Sequence, residues 1–252
     1  MIYAGTSYET SGADDQIGTS AYNISYNDNA YVGYMYGSTG QSSYTPTHAN
    51  NNNSTIKGVL DGWYEENLQE NYAQYLSTEA GFCNDRSLNA TSETWWSPDT
   101  KRGYETNATA YGPYGRLLLN GSYRSSQNPS LLCSQTNDMF TVSESSKGNH
   151  ELTYPIGLIT SDEVVLAGGF GGSNNSRYYL YTGEDYWTMS PNSFIAVSIR
   201  AVVLRVYSIG SLGTNGSWVD STNGVRPVIN LSSDVTLSGS GTSTDPYTVV
   251  GA

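Results

Sequence analysis

His48, His150, Cys83 and Cys133 are the residues of this chain best suited to nucleophilic, redox or metal chemistry. A zinc or iron site wants several imidazoles or thiolates at short spacing. Here the two histidines lie far apart in polar stretches, and neither cysteine belongs to a CxxC pair. A Ser-His-Asp or Cys-His system needs a histidine beside its nucleophile. The chain has no GxSxG and no cysteine near a histidine. Gly168-Gly169-Phe170-Gly171-Gly172 has the glycines of a phosphate loop but lacks its lysine and following helix, so it reads as a turn. The carboxylate pairs Asp14-Asp15 and Glu65-Glu66 read as solvated faces. A structural Ca²⁺ held by carboxylates and loop carbonyls is compatible with so acidic a chain, but no EF-hand spacing names its ligands. The expectation is a protein that is not an enzyme and carries no cofactor.

Composition narrows the class further. The 252 residues hold 11 Lys and Arg against 23 Asp and Glu, a formal charge of -12. Without a basic stripe, nucleic acid is excluded as a partner, because phosphate neutralisation needs clustered cations. No apolar run reaches the roughly 18 residues that suggest a membrane span. Polarity comes from Ser, Thr, Asn, 27 Gly and 22 Tyr rather than from charge. So many aromatic rings argue against disorder. Tyr, Ser, Gly and Asn are also the residues of antibody contact loops, where a stiff ring gives area at low entropy cost. In a secreted chain, a Cys83–Cys133 bridge would close a long loop, worth about 4 kcal/mol in the chain-entropy model. The alternative is two buried free thiols.

Positioning falls to short elements. Tyr31 to Tyr36 alternates like a strand. Ser54 is a good N-cap for a helix carrying Ile56, Val59, Leu60, Trp63 and Tyr64 on one face, with Trp63 as its largest anchor. Gly58 and Gly62 weaken that helix, and a close approach by a neighbour would explain them. Gly112-Pro113 reads as a turn in an irregular stretch pinned by the cysteines, Trp95, Trp96 and tyrosines. Thr160-Ser161-Asp162-Glu163 is a capping box, and Gly168-Gly169 ends its helix. Leu152–Ile159, Tyr178–Thr182, Tyr186–Met189, Val225–Leu231 and Tyr247–Val250 read as strands. Two short-to-medium helices, several short strands and long irregular loops make an α+β fold, taken as one domain over 1–252.

Residues 186–231 hold YWTMSP, then Phe194, Gly210-x-Leu212 and GVRPVINL. This frame resembles the carboxy-terminal part of bacterial surface and phage-borne proteins with a C-type-lectin-like fold. That superfamily includes the formylglycine-generating enzymes and the variable proteins of diversity-generating retroelements. NAYVGYMYG, STIKGVLDGWYEENL, GFCNDRS, LTYPIGLITSDEVVLAGG, YYLYTG and GSGTSTDPYTV extend the resemblance, to a Firmicutes group, over most of the chain. Some of that group carry a pilin-like leader with a membrane helix. This sequence shows none, so any anchor is expected to have been removed. The enzyme branch fits poorly, since residues 134–252 lack the cysteine pair it would need, and Ca²⁺-dependent sugar binding of the lectin type is disfavoured because no EPN, QPD or WND motif is present.

In the retroelement branch, adenine-directed errors rewrite AAC-rich codons, which cannot become Lys, Glu, Gln, Met or Trp. Between Asn192 and Asn223 there is no Lys, Glu, Gln or Met, and Trp218 is the single Trp. The resemblance implies a fixed frame of Tyr186, Trp187, Pro191, Phe194, Gly224, Arg226 and Pro227 around a variable region over 192–222. Its ligand-binding candidates are Asn192, Ser193, Ile195, Val197, Ser198, Ile199, Arg200, Val202, Leu204, Arg205, Tyr207, Ile209, Ser211, Thr214, Ser217 and Trp218. Arg200 and Arg205 would hydrogen-bond acidic or carbonyl groups of the ligand. Period two puts these two arginines on opposite faces, which suits a variable surface better than a plain buried strand. The alternative is a core strand with paired or snorkelling arginines. The expected partner is a protein or cell-surface ligand outside the cell, met on a cell surface or a phage particle. The competing expectation is a structural or adhesive module such as a pilin tip, with Ile195, Val197 and Ile199 buried.

Overall fold

One hairpin has both faces of its stem covered, and the remaining elements are arranged around it. The computed structural model describes residues 1–6, 12–41, 43–89, 109–118, 127–213, 216–242 and 244–252. Trp95, Trp96 and Thr214 lie outside the described residues. In chain order the first elements are β1 (Thr19–Ala21), β2 (Met35–Tyr36), α1 (Tyr44–Thr47), β3 (Asn52–Asn53) and α2 (Thr55–Asn67). Next come β4 (Phe82–Cys83), β5 (Thr109–Ala110), α3 (Gly112–Leu117), β6 (Met139–Phe140) and α4 (Ser161–Ala167). The hairpin is β7 (Tyr186–Ile195) and β8 (Arg200–Val206), followed by β9 (Ser217–Trp218), β10 (Thr222–Gly224), β11 (Leu237–Ser238) and β12 (Thr248–Val249). The protein is therefore a mixed helix and strand structure.

The main sheet runs β1-β10-β7-β8-β9, with β5 also on β7. β10 pairs parallel to β7 and the other pairings are antiparallel. Trp187, Met189, Phe194, Ala201 and Val203 point into one hydrophobic cluster, which also takes Ile56, Leu60 and Tyr64 of α2. Tyr186, Leu204 and Val206 point into a second cluster with Val164 and Val165 of α4 and Leu117 of α3. A strand buried on both faces reads as a continuous apolar run. That is why Ala201-Val202-Val203-Leu204 does not alternate.

The two helix-start signals hold. Ser54 accepts a hydrogen bond from the Lys57 backbone N–H, and the full capping box forms between Thr160 and Glu163. Gly168 ends α4 at φ 115°. α4 is also bonded to the sheet, because Ser161 Oγ lies 2.9 Å from Thr188 Oγ1 and its N–H donates to Ser190 Oγ at 2.9 Å. The hydroxyls of the YWTMSP frame thus satisfy a helix start inside the protein.

Several expectations are corrected. Among the described residues α1 and α3 raise the count to four α-helices, and Gly112-Pro113 opens α3 rather than forming a turn. Proline suits a first helical turn because its missing N–H has no partner there. Trp63 is only partly buried, edge-on to Tyr3 at 5.6 Å, and Val59 is exposed. Tyr64, stacked on Tyr154 at 4.8 Å, is the anchor of α2. A Cβ on Gly58 or Gly62 would meet open space, so no neighbour approaches there. Residues 29–32 form a 3-10 turn before β2. The segments 152–159 and 225–231 make only isolated bridges, and 178–182 is a turn. Pro155 and Pro227 each remove a ladder donor from those segments.

Candidate recognition surface

Disulfide chemistry accounts for both cysteines. Cys83 and Cys133 are bonded, with their Cα atoms 5.7 Å apart. His48 is buried between the rings of Tyr44 and Tyr111, at 4.7 and 6.1 Å. Burial, and then the charge of Arg86, push its imidazole well below the ordinary 6.5. His150 is exposed and distant in sequence. A cavity of about 120 Å³ beside the disulfide is lined by Asp85, Arg116 and Asp162, without a histidine. Its charged groups are engaged within the protein: Arg116 spans Asp85 at 2.6 Å and Asp162 at 2.6 Å, and Glu163 closes the capping box with Thr160. Among the described residues, no three His, Cys, Asp or Glu side chains gather as a metal site would require.

The frame residues Tyr186, Trp187, Pro191, Phe194, Gly224, Arg226 and Pro227 are all buried. Arg226 stacks on the Tyr186 ring at 4.8 Å and donates to the carbonyls of Leu180 at 3.0 Å and Tyr3 at 3.1 Å. The Tyr186 hydroxyl donates to the same Leu180 carbonyl, and burial raises its pKa. Trp187 Nε1 donates to the Ser20 carbonyl at 2.8 Å. Gly210 has φ 76°, and a Cβ there would sit 1.8 Å from the Asn175 carbonyl oxygen. No side chain fits at that point of the Gly210-x-Leu212 motif.

Of the surface candidates, six are interior: Asn192, Ser193, Val202, Leu204, Ser211 and Ser217. Asn192 and Ser193 lie where β7 is flanked by β5 and β8, and Val202 and Leu204 lie between neighbouring strands and the cores. Ser217 pairs with Val203 in β9, and Ser211 is folded back so that its carbonyl accepts the Tyr207 N–H. These residues form no outer surface. Arg200 and Arg205 are also committed internally, the first to Asp220 and the second to Asp185 and Asn223. The paired-arginine alternative is the one the stem follows.

The tip behaves differently. The four-residue turn Ala196–Ile199 joins β7 to β8 beyond the Ile195↔Arg200 pair. Val197 is 84% exposed, Ile199 55% and Trp218 48%. Ser198 is exposed and Ile195 is half-buried. Ile199 adopts φ 52°, a left-handed conformation that a β-branched residue rarely takes. At the other end of β8, Ile209 is exposed, while Tyr207 is half-buried and lies over Arg205 at 4.5 Å.

Arg200 organises the tip. Its guanidinium carbon lies 4.3 Å from the Tyr26 ring and 4.2 Å from the Trp218 ring. Its Nη1 reaches both carboxylate oxygens of Asp220, at 2.7 and 2.5 Å. Tyr26, which sequence reasoning missed, is brought here because its carbonyl accepts the Ala201 N–H at 2.7 Å. Ile24, also missed, is 73% exposed on the same segment. The Asn-x-Ser match at Asn23, of a kind expected by chance at this composition, does not point to it, and only long-range pairing reveals it.

No protein-family model, curated protein or solved structure matches the chain.

Proposed function

We propose that the protein is a non-enzymatic binding protein, and that its recognition surface is the β7–β8 tip together with Trp218 and the 24–26 segment. The observation that carries this reading is the exposure of Val197, Ile199, Trp218 and Ile24 around a stacked Tyr26–Arg200–Trp218 unit. Exposed apolar groups gathered on one end of a monomer mark an interaction site more often than an accident of packing. Trp, Tyr and Arg are the residues that dominate binding energy in interfaces. Here they sit on a hairpin whose stem is locked between two cores, the rigid support that accurate binding requires.

In this reading the scaffold is a C-type-lectin-like fold and the tip is diversified by a retroelement, with the YWTMSP and GVRPVINL frame held constant. The disulfide supports a location outside the reducing cytoplasm, on a cell surface or phage particle. Ligand contact falls to Val197, Ser198, Ile199 and Trp218, with Ile195, Tyr207 and Ile209 at the margin. The interior members of 192–222 vary only within packing limits. Sequencing this locus in several isolates tests the proposal. Substitutions concentrated at the exposed positions, beside a template repeat and a reverse transcriptase gene, are expected. Identical segments with neither neighbour would overturn diversification.

The buried stem favours a second reading, a structural or adhesive module whose carboxy-terminal strands are core. The exposed Val197 and Ile199 are what that reading does not account for.

A further inference from the structure

We infer that Tyr26, Trp218 and Asp220 form a cage for a guanidinium group, filled in cis by Arg200, and that an arginine of the binding partner competes for it. The inference rests on the tip being the recognition surface. Two aromatic faces and a carboxylate are the elements that hold a planar cation, the rings through their quadrupoles and the acid through charge. All three are present around one guanidinium, at 4.3, 4.2 and 2.5 Å.

The backbone that carries the walls is held without the side chain they enclose. The Tyr26 carbonyl is held by the Ala201 N–H at 2.7 Å. The Val219 N–H donates to the Ala201 carbonyl at 3.1 Å, and the Ser221 N–H to the Trp218 carbonyl at 2.9 Å. Val202 pairs with Trp218 across β8 and β9. Every one of these contacts is backbone to backbone, so truncating Arg200 leaves in place the backbone that carries the two rings and the carboxylate. The occupant is also accessible: the side chains of Arg200 and Asp220 are 24% and 27% exposed. The chain as a whole carries a charge of -12, which draws a basic ligand rather than an acidic one toward the tip.

Titration calorimetry with methylguanidinium tests the cage without knowledge of the partner. Arg200→Ala is expected to bind it saturably and at least tenfold tighter than the unaltered protein. Adding Trp218→Ala or Asp220→Ala to that variant should abolish the gain, while methylammonium should bind less well than methylguanidinium. Circular dichroism establishes that each variant is folded, and Arg200→Gln provides a second opening should Arg200→Ala fail to fold. No saturable binding in a folded, opened variant overturns the cage, as does binding that survives loss of both Trp218 and Asp220. Either failure leaves the recognition reading of the tip intact, because that reading is tested by variation at the locus.

Discussion

The stem and the tip of the β7–β8 hairpin are a few residues apart and obey opposite rules. From Ala201 to Leu204 each side chain is fully buried, and the two faces enter different cores. From Val197 to Ile199 similar apolar residues stand in solvent. Residue type therefore does not decide burial here; position along the hairpin does. Arg200 marks the boundary, sitting where β8 leaves the cores at the tip and finding a carboxylate there, whereas Arg205 lies between the buried Leu204 and Val206 and pairs with the partly exposed Asp185.

The largest contrast concerns arginine pairs. Arg86 and Asp138 are wholly buried, 2.7 Å apart, and burial holds the Asp138 carboxyl above its ordinary range even beside the guanidinium. Asp138→Ala would strand a buried cation, with an expected loss of about 3–5 kcal/mol in urea denaturation. Asp220→Ala at the tip should lose only about 0.2–1 kcal/mol, since that pair is partly solvated. Comparable losses would erase the distinction between interior and tip.

Truncation gives the next test. Leu204→Ala is expected to lose about 2–5 kcal/mol through lost burial and the cavity left behind. Val197→Ala should stay within roughly 0.5 kcal/mol. A large effect at Val197 would mean that the tip is packed.

Acid should act on the interior through His48. Its folded pKa is depressed by burial and by Arg86, so the unfolded chain takes up a proton that the folded chain refuses. The stability it contributes is complete above the ordinary 6.5 and declines as pH falls toward the depressed value. The slope approaches about 1.4 kcal/mol per pH unit. Melting temperature measured against pH should show this decline, and His48→Phe should flatten it. The tip carries no histidine and should bind independently of this transition.

The smallest effect is a gain. Ile199→Asn relieves a left-handed conformation that asparagine tolerates, with an expected stabilisation of about 1 kcal/mol. No gain in chemical denaturation would show that the turn is held by more than its own backbone. A gain with weakened ligand binding would place strain in the service of recognition.

How much the sequence discloses follows the range of the signal. Ser54, the Thr160–Glu163 box and Gly168 act within one turn of chain, and each forms as its type and spacing indicate. The Cys83–Cys133 bridge agrees with one of the two alternatives left open. α3 was hidden because Gly112-Pro113 serves a turn and a helix start equally well. The exposed tip at Val197 and Ile199 was included in the candidate surface, but so were Val202 and Leu204. No local pattern separates a strand covered on both faces from a surface of mixed side chains. Tyr26 was invisible for a related reason: its place beside Arg200 is set by a backbone bond across most of the chain.

Because each core borrows part of its lining from the same pair of strands, neither can melt while the other persists. Loss of either lining frees the hairpin, and the freed hairpin removes the other. Calorimetry should therefore record one cooperative endotherm rather than two. A partner gripping the tip would raise the temperature of that whole transition instead of protecting its own neighbourhood alone.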